Sequence, residues 1–490
     1  MRRIFSELFD HPAKALFWFV AVIAVLWSAQ CALLQSVLGK DIVETVMWGA
    51  QGQLGHLKHP PLSGWIGYAV AVISGYSDFA MYLAAQLCLV LGTYYVYKLA
   101  REFWGETESA AAALLLYVLF YYNPSSMKFC SHFLEAAFMP PMVYYIVRGA
   151  KDDRLADWLL AGLFTALAVL GKYSGVIVLP GCLVYILLRA DRRKCFLRPG
   201  VWCGMLLAFV LMLPHLIWLA RHDFCCIRHI ERRVSDDVMP WYYFMEVAVV
   251  GLAPVAIQWV GLILSRLPNR REDPERRKIS GDGTILALLL TLIPVVVLTL
   301  VALFGEDVVL MWYSFLAAWT GMAAVALFPW RITRNVFRNL WLLVTAYTVI
   351  ALTASSIDIA LKSRLRCHAD PAVIVKNAER FYQTRKPGGK IPAVIGERWI
   401  CGVIQFYSPD HPQSFCDTDP VSLAPFLPEI RKNGALLVGY PDRFQKWLPE
   451  LTGDLKFEPF PVEYQARFGK RDEKEFFIAI YPGGTPAGKQ

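Results

Sequence analysis

Long apolar runs separated by short polar breaks fill the first 360 residues of the chain, and the rhythm then changes. We read apolar spans at about 14–37, 78–99, 108–123, 131–149, 157–172, 175–189, 200–219, 241–265, 284–304, 311–328 and 339–357. Runs such as "ALFWFVAVIAVLWSAQCALL" and "TILALLLTLIPVVVLTLVALF" approach or exceed the ~18–20 residues that cross a bilayer. The pattern predicts an α-helical polytopic membrane protein with about 11 transmembrane helices. The stretch "LSGWIGYAVAVISGY", 62–76, is apolar but short and broken by glycine, so it reads as a juxtamembrane or re-entrant helix. Beyond residue 360, "KIPAVIGERWICGVIQFY", "NGALLVGY" and "EFFIAIYPGG" alternate strand-like runs with helical patterns such as "DPAVIVKNAERFYQTR". The expected division is therefore a transmembrane domain, 1–360, and a small α/β domain, 361–490. No internal repeat or low-complexity tract interrupts either part.

Composition agrees with this class. The chain is 56% hydrophobic with a mean hydropathy of +0.41, beyond the ~45–50% apolar content of ordinary soluble domains. The net charge of +9 does not point to nucleic acid, because the basic residues cluster in short loops between apolar runs. These clusters are Arg2 and Arg3; Lys98 and Arg101; Arg148, Lys151 and Arg154; Arg192, Arg193, Lys194 and Arg198; 270–278; and Arg331, Arg334 and Arg338. With eleven spans and a non-crossing 62–76 stretch, all of them fall on one side, which the positive-inside rule makes cytoplasmic. Residues 40–76 and the C-terminal domain then lie outside. The first apolar run is long and no small-residue cleavage site follows, so it reads as an anchor rather than a signal peptide. Eleven cysteines show no CxxC pair and no zinc-like spacing, which argues against a metal cluster. In an oxidising outer compartment Cys401 and Cys416 either pair or remain free thiols.

Some charges are not required by the topology. Residues 40–65, "KDIVETVMWGAQGQLGHLKHPPLSGW", place Asp41, Glu44, His56, Lys58 and His59 between two apolar runs. Asp41 and Glu44 share a face if the segment is helical, and cations beside two acids suit an anionic group and a proton transfer. Set against this, a solvated loop and a plain Pro-Pro turn explain the same residues without function. Glu135 stands near the end of a span, where a lone carboxylate is costly. Lys172 ends a span on the outer side, either as a ligand or snorkelling to headgroups. Arg221, Arg228, Arg232 and Arg233 defy the positive-inside trend in an outer loop, as anion-binding residues would, with His222 and His229 as candidate partners and a solvated basic loop as the alternative. No Walker loop, HExxH motif or Ser-His-Asp order supports an ATPase or hydrolase.

Asp41, Gly55 and the His59-Pro60-Pro61-Leu62 element followed by Trp65 resemble the first outer loop of family-39-type GT-C glycosyltransferases. These are the bacterial relatives of dolichyl-phosphate-mannose protein mannosyltransferases and lipid A aminoarabinose transferases. Glu135, the Leu-Gly step before Lys172, and "PHLIWLARHDF" are similar to further family elements, so the resemblance covers roughly residues 10–360. It implies a GT-C-like fold in the bacterial inner membrane and inverting transfer of a sugar from a polyprenyl-phosphate donor to a glycolipid, glycan or protein acceptor. It also implies that Asp41 occupies the catalytic acid position, with Glu44 and Glu135 as further catalytic candidates. Lys58, His59, Lys172, Arg221, His222 and Arg228 are the candidate ligands of the donor phosphate. The family's adjacent Asp-Glu pair is absent, since Ile42 follows Asp41 and the second acid is Glu44. No cofactor is identified from the sequence, and a divalent metal requirement stays open. Two other readings compete: a flippase or transporter for a lipid-linked glycan, and a non-catalytic subunit of an envelope-assembly complex. Transporters usually show repeated halves with charges near the midplane.

Overall fold

The computed structural model describes residues 9–123, 128–231, 240–269, 281–303, 317–362, 366–453, 455–469 and 471–484. The N-terminal part is helical throughout. It contains α1 (Pro12–Leu34), α2 (Lys40–Gln51), α3 (Leu62–Ile73), α4 (Asp78–Arg101), α5 (Glu106–Leu114), α6 (Ser131–Asp152), α7 (Leu155–Gly171) and α8 (Leu179–Leu187). It continues with α9 (Pro199–Arg221), α10 (Cys225–Glu231), α11 (Pro240–Arg266), α12 (Gly281–Leu303), α13 (Ala317–Leu327) and α14 (Arg334–Leu361). Local chemistry sets many of these ends. Pro12 and Pro199 occupy first-turn positions that tolerate a missing N–H. Ser77 and Thr333 cap α4 and α14 by accepting from Ala80 and Val336 N–H. Asp78 opens α4 and Lys98 and Arg101 close it, in accord with the helix dipole.

Every span expected among the described residues contains helix. Five helices, α1, α4, α9, α12 and α14, are long and apolar enough to cross a bilayer unaided. The remaining apolar segments are shorter, bent or more polar. The segment expected at 108–123 runs from α5 into 3-10 turns at Leu115–Val118 and Phe120–Tyr122. That expected at 175–189 begins as a 3-10 stretch, Tyr173–Val178. Such backbone is tolerated in a bundle because neighbouring helices can satisfy its polar groups. The 62–76 stretch folds as the 12-residue α3. At ~1.5 Å per residue it reaches about 18 Å, short of the ~30 Å hydrocarbon core.

The helix ends sort into two sets. At one end Arg198 pairs with Asp153, Arg192 and Arg189 with Asp282, Lys151 with Glu102, and Arg334 with Asp10. The inter-span basic loops therefore meet each other, as the charge pattern requires. The 270–278 cluster, Arg2 and Arg3 lie outside the described residues. At the opposite end α2 and α3 pack with their glycines face to face. A Cβ on Gly49 would sit 2.1 Å from Gly64 O, so only glycine allows this approach.

The C-terminal part is an α/β unit with a five-stranded mixed sheet. Its strands are β1 (Ala393–Gly396), β2 (Gln413–Cys416), β3 (Ala435–Gly439), β4 (Glu458–Gln465) and β5 (Arg471–Tyr481), in spatial order β2-β1-β3-β5-β4. β1 pairs in parallel with β2 and β3, and β5 runs antiparallel to β3 and β4. β1 and β3 are buried on both faces and read as continuous apolar runs, whereas β4 alternates buried and exposed positions. Two helices complete the parts that matter here, α15 (Pro371–Arg385) and α16 (Arg398–Tyr407).

α16 joins the two parts. Eight of its ten residues are buried. A Cβ on Gly402 would lie 2.6 Å from the Val43 Cβ of α2, so the two helices touch backbone to side chain. Trp399 Nε1 donates to Leu38 O at 3.1 Å, and Tyr407 Oη receives Leu38 N–H and donates to Asp78, both at 2.9 Å. Cys401 and Cys416 are buried free thiols, so of the two expectations for this pair the unpaired one holds.

Candidate functional site

The bundle end that carries α2 gathers most of the charges singled out in the sequence. The spacing of Asp41 and Glu44 does place both on α2, yet their surroundings differ sharply. Glu44 is buried, 7% exposed, and engages two cations. Lys58 Nζ lies 2.9 Å from its Oε1. Arg398 Nε lies 2.9 Å from the same oxygen, and Arg398 Nη1 donates to Oε2 at 3.0 Å. Asp41 is 42% exposed at its side chain and has a looser partner, Lys128 Nζ at 3.6 Å. Glu135 is fully buried on α6 and belongs to a second cluster. Lys172 Nζ donates to its Oε2 at 3.1 Å, Ser174 Oγ donates to its Oε1, and His132 Nδ1 lies 3.5 Å from Oε2. Lys172 also lies 3.1 Å from His132 Nδ1. Its head therefore turns inward to a carboxylate and does not snorkel outward.

The loop between α2 and α3 is tied down along its length. His59 stacks edge-on against Trp48, with ring centroids 5.7 Å apart. Burial, with Lys172, His132, Lys58 and His229 adding positive charge nearby, holds its imidazole well below the usual range, so it stays neutral near pH 7. Burial next to His215 likewise pushes His56 down to about 3. His215, on α9, accepts or donates at 2.7 Å to Tyr173 Oη through Nε2 and contacts Leu54 O at 2.7 Å through Nδ1. Trp218 sits so close to Gly55 that a Cβ there would fall 2.4 Å from the indole.

The basic segment after α9 is placed differently. His222 stacks on Trp218 at 4.2 Å and binds Trp218 O at 2.7 Å. Arg228 faces Asp223 at 3.8 Å, and Arg221 is exposed. Among the described residues, no hydrogen bond, ion pair or ring contact joins Arg221, His222 or Arg228 to Lys58, His59 or Lys172. Arg232 and Arg233 lie outside the described residues. Among the described residues, no group of three or more His, Cys, Asp and Glu side chains could hold a metal ion.

Sequence reasoning missed the contribution of the α/β unit. Arg398 lies 354 positions from Glu44 in the chain. Gln51 Nε2 donates to Ser414 O at 3.0 Å and Gln53 Nε2 to Ser422 O at 2.6 Å. His56 Nδ1 meets Ser422 Oγ at 3.3 Å, and that hydroxyl donates to Asp419 at 2.8 Å. One local signal for Arg398 exists. It opens a helix, where the dipole disfavours a cation, and the rest of that helix is apolar but for Gln405 and the Tyr407 hydroxyl.

Comparison with known proteins gives this arrangement a context. Residues 58–218 match the dolichyl-phosphate-mannose-protein mannosyltransferase family. The matched segment includes Lys58, His59, Glu135 and Lys172, and leaves Asp41, Glu44, Arg221, His222 and Arg228 outside it. Crystal structures of ArnT from Cupriavidus metallidurans, bound to undecaprenyl phosphate and in the apo state, superpose with TM-scores of 0.59 and 0.60. Each is 14% identical and covers 96% of this chain, with 99% and 98% of the ArnT chain matched. The fold is GT-C. The GT-C-like fold expected from the sequence is the fold that this chain shares with ArnT. An undecaprenyl phosphate-alpha-4-amino-4-deoxy-L-arabinose arabinosyl transferase of Proteus mirabilis is 24% identical over 44% of this chain. A lipopolysaccharide core galacturonosyltransferase of Rhizobium johnstonii is 26% identical over 43%. The chain spans about two-fifths of the length of these curated relatives, 42% and 43% respectively.

Proposed function

We propose that the protein is a membrane glycosyltransferase that moves a sugar from a polyprenyl-phosphate carrier to an extracytoplasmic acceptor. The observation that carries the mechanism is the division of labour among the three carboxylates. Glu44 is held by two cations and Glu135 by a lysine and a hydroxyl, whereas Asp41 is half-exposed and loosely paired. A carboxylate committed to ion pairs is a poor base. Asp41 is the one free to accept a proton.

In this reading the acceptor hydroxyl attacks the anomeric carbon while the bond from that carbon to the phosphate oxygen breaks. The hydroxyl proton passes to Asp41 and the electron pair leaves with the polyprenyl phosphate. The phosphodiester monoanion becomes a phosphate monoester, so negative charge grows on the leaving group and a fixed cation stabilises it. Lys58, on the loop beside Asp41, and neutral His59 as a hydrogen-bonding group fill that role. A single displacement inverts the sugar. The bundle crosses the bacterial inner membrane about eleven times, with the basic loops in the cytoplasm and the α/β unit on the other side. The charged groups collect at one end of the bundle, which favours an interfacial transfer site over a midplane transport site. The acceptor class is a glycolipid, a glycan or a protein.

The test uses labelled undecaprenyl-phosphate sugar with purified protein in lipid nanodiscs and envelope acceptors. Sugar transfer that is lost in Asp41→Asn is the expected result. Movement of the labelled lipid between leaflets of proteoliposomes without transfer would replace this reading with a flippase.

A further inference from the structure

We propose that Arg398, carried by the C-terminal α/β unit, is a positioning residue of the transfer site: it clamps Glu44, and Glu44 in turn holds Lys58 where the donor phosphate binds. The inference rests on the transferase reading for the identity of the anion, and on geometry for the clamp itself.

The charges of Lys58, Glu44 and Arg398 do not cancel. Lys58 and Glu44 alone would form a neutral pair, with the ammonium consumed by its own counter-ion. Arg398 makes contacts to both Glu44 oxygens, so the trio carries one surplus positive charge. Lys58 keeps two further N–H groups for an incoming anion, and its position is fixed by a carboxylate that is itself fixed. An ammonium on a flexible four-carbon stem depends on such an anchor, whereas a planar guanidinium supplies a rigid fork.

The unit also grips this loop at independent points. Ser414 and Ser422 bind Gln51, Gln53 and His56, on the residues that lead from α2 towards Lys58. Gly402 lets α16 approach the Val43 side of α2, which sets the distance from Arg398 to Glu44. The arrangement also carries a cost. An arginine in the first turn of α16 opposes the helix dipole, and its side chain is only 17% exposed. Within the α/β unit the guanidinium also neighbours Cys416 and the buried Asp417, so it links that unit to Glu44 of α2.

The experiment uses the full-length protein in nanodiscs and reads two quantities: binding of undecaprenyl phosphate, and the separate donor KM and kcat of transfer. Arg398→Ala is expected to weaken lipid-phosphate binding and raise donor KM by at least ~10-fold, with a smaller change in kcat. Arg398→Lys keeps the charge but not the fork and should fall between. In a Glu44→Gln background the effect of Arg398→Ala should largely vanish, because the clamp then has nothing to hold. Unchanged binding in Arg398→Ala overturns the proposal. So does an effect of equal size with and without Glu44, which would mean that Arg398 acts on the phosphate directly. If Arg398→Ala fails to fold, Arg398→Lys carries the test: full wild-type binding in that variant overturns the clamp. A wild-type protein that binds undecaprenyl phosphate but transfers no sugar refutes the transferase reading and leaves the Arg398 binding arm intact.

Discussion

Asp41, Glu44 and Lys172 look alike on paper as isolated charges near apolar runs, and their environments separate them. A positioned general base typically contributes 10²–10⁴-fold in rate, so Asp41→Asn is expected to lower turnover at least ~10²-fold with lipid-phosphate binding retained. Single-turnover kinetics on the purified variant check this. Lys172 compensates a carboxylate that is fully buried. Removing one member of a buried pair strands the other at a cost of roughly 3–5 kcal/mol. Lys172→Met should therefore lower the melting temperature well before any binding defect is measured, and Glu135→Gln in the same chain should recover part of the loss. Asp417 offers a pH-dependent test. Burial raises its carboxyl to about 6, from an ordinary 3.8, against the lowering effect of Arg443. A raised folded-state value means that stability is greatest below the unfolded pKa and is lost as pH rises from about 4 through 6. Asp417→Asn should consequently raise the melting temperature by a few degrees at pH 7.5, with no gain near pH 4. Two pH units correspond to at most ~3 kcal/mol.

Helix pairing at the site depends on small residues. α2 carries the two candidate acids, and α3 and α16 fix it by close approach at Gly49, Gly64 and Gly402. Overpacking a tight helix contact costs typically ~1–3 kcal/mol. Gly402→Val is expected to push α16 away from Val43, and with it the guanidinium of Arg398 from Glu44. The measurable outcome is a rise in donor KM that parallels Arg398→Ala, which limited proteolysis of the α/β unit should accompany. A stable Gly402→Val protein with unchanged KM would separate the helix contact from the site. At this level α3 was readable in advance from the brevity of 62–76, and α2 only as a segment whose two acids would share a face if it were helical; "ERWICGVIQFY" reads as strand-like, yet only Ala393–Gly396 before it is a strand and Arg398–Tyr407 folds as α16, capped at its start by Glu397. That α16 lies on α2 was not readable, because the contact joins distant segments and glycine leaves no pattern of its own.

For the molecule as a whole, the ion pairs among the basic loops show that they meet in space, and in the proposed orientation that end is the cytoplasmic one. Phe468 is 76% exposed on the C-terminal unit. A Phe468→Cys variant should react with an impermeant maleimide from outside the cytoplasmic membrane. Labelling only after that membrane is breached would invert the topology and move the site to the cytoplasmic face.

Hydropathy and charge along the chain were enough to establish a helical membrane protein with a separate α/β unit, because burial in lipid demands long apolar segments and translocation sorts lysine and arginine. The same one-dimensional signals marked Asp41, Glu44, Glu135, Lys58 and Lys172, since charge beside apolar sequence is costly without a purpose. Their roles were a different matter. Which carboxylate is free and which is neutralised depends on partners such as Lys128, Ser174 and Arg398, and these reach the site only through folding. The pairing of Lys172 with Glu135 was equally invisible, for a lysine at a helix end has the same sequence whether it turns towards headgroups or towards a buried acid. Electrostatic function follows distance in space, and the chain records only distance along itself.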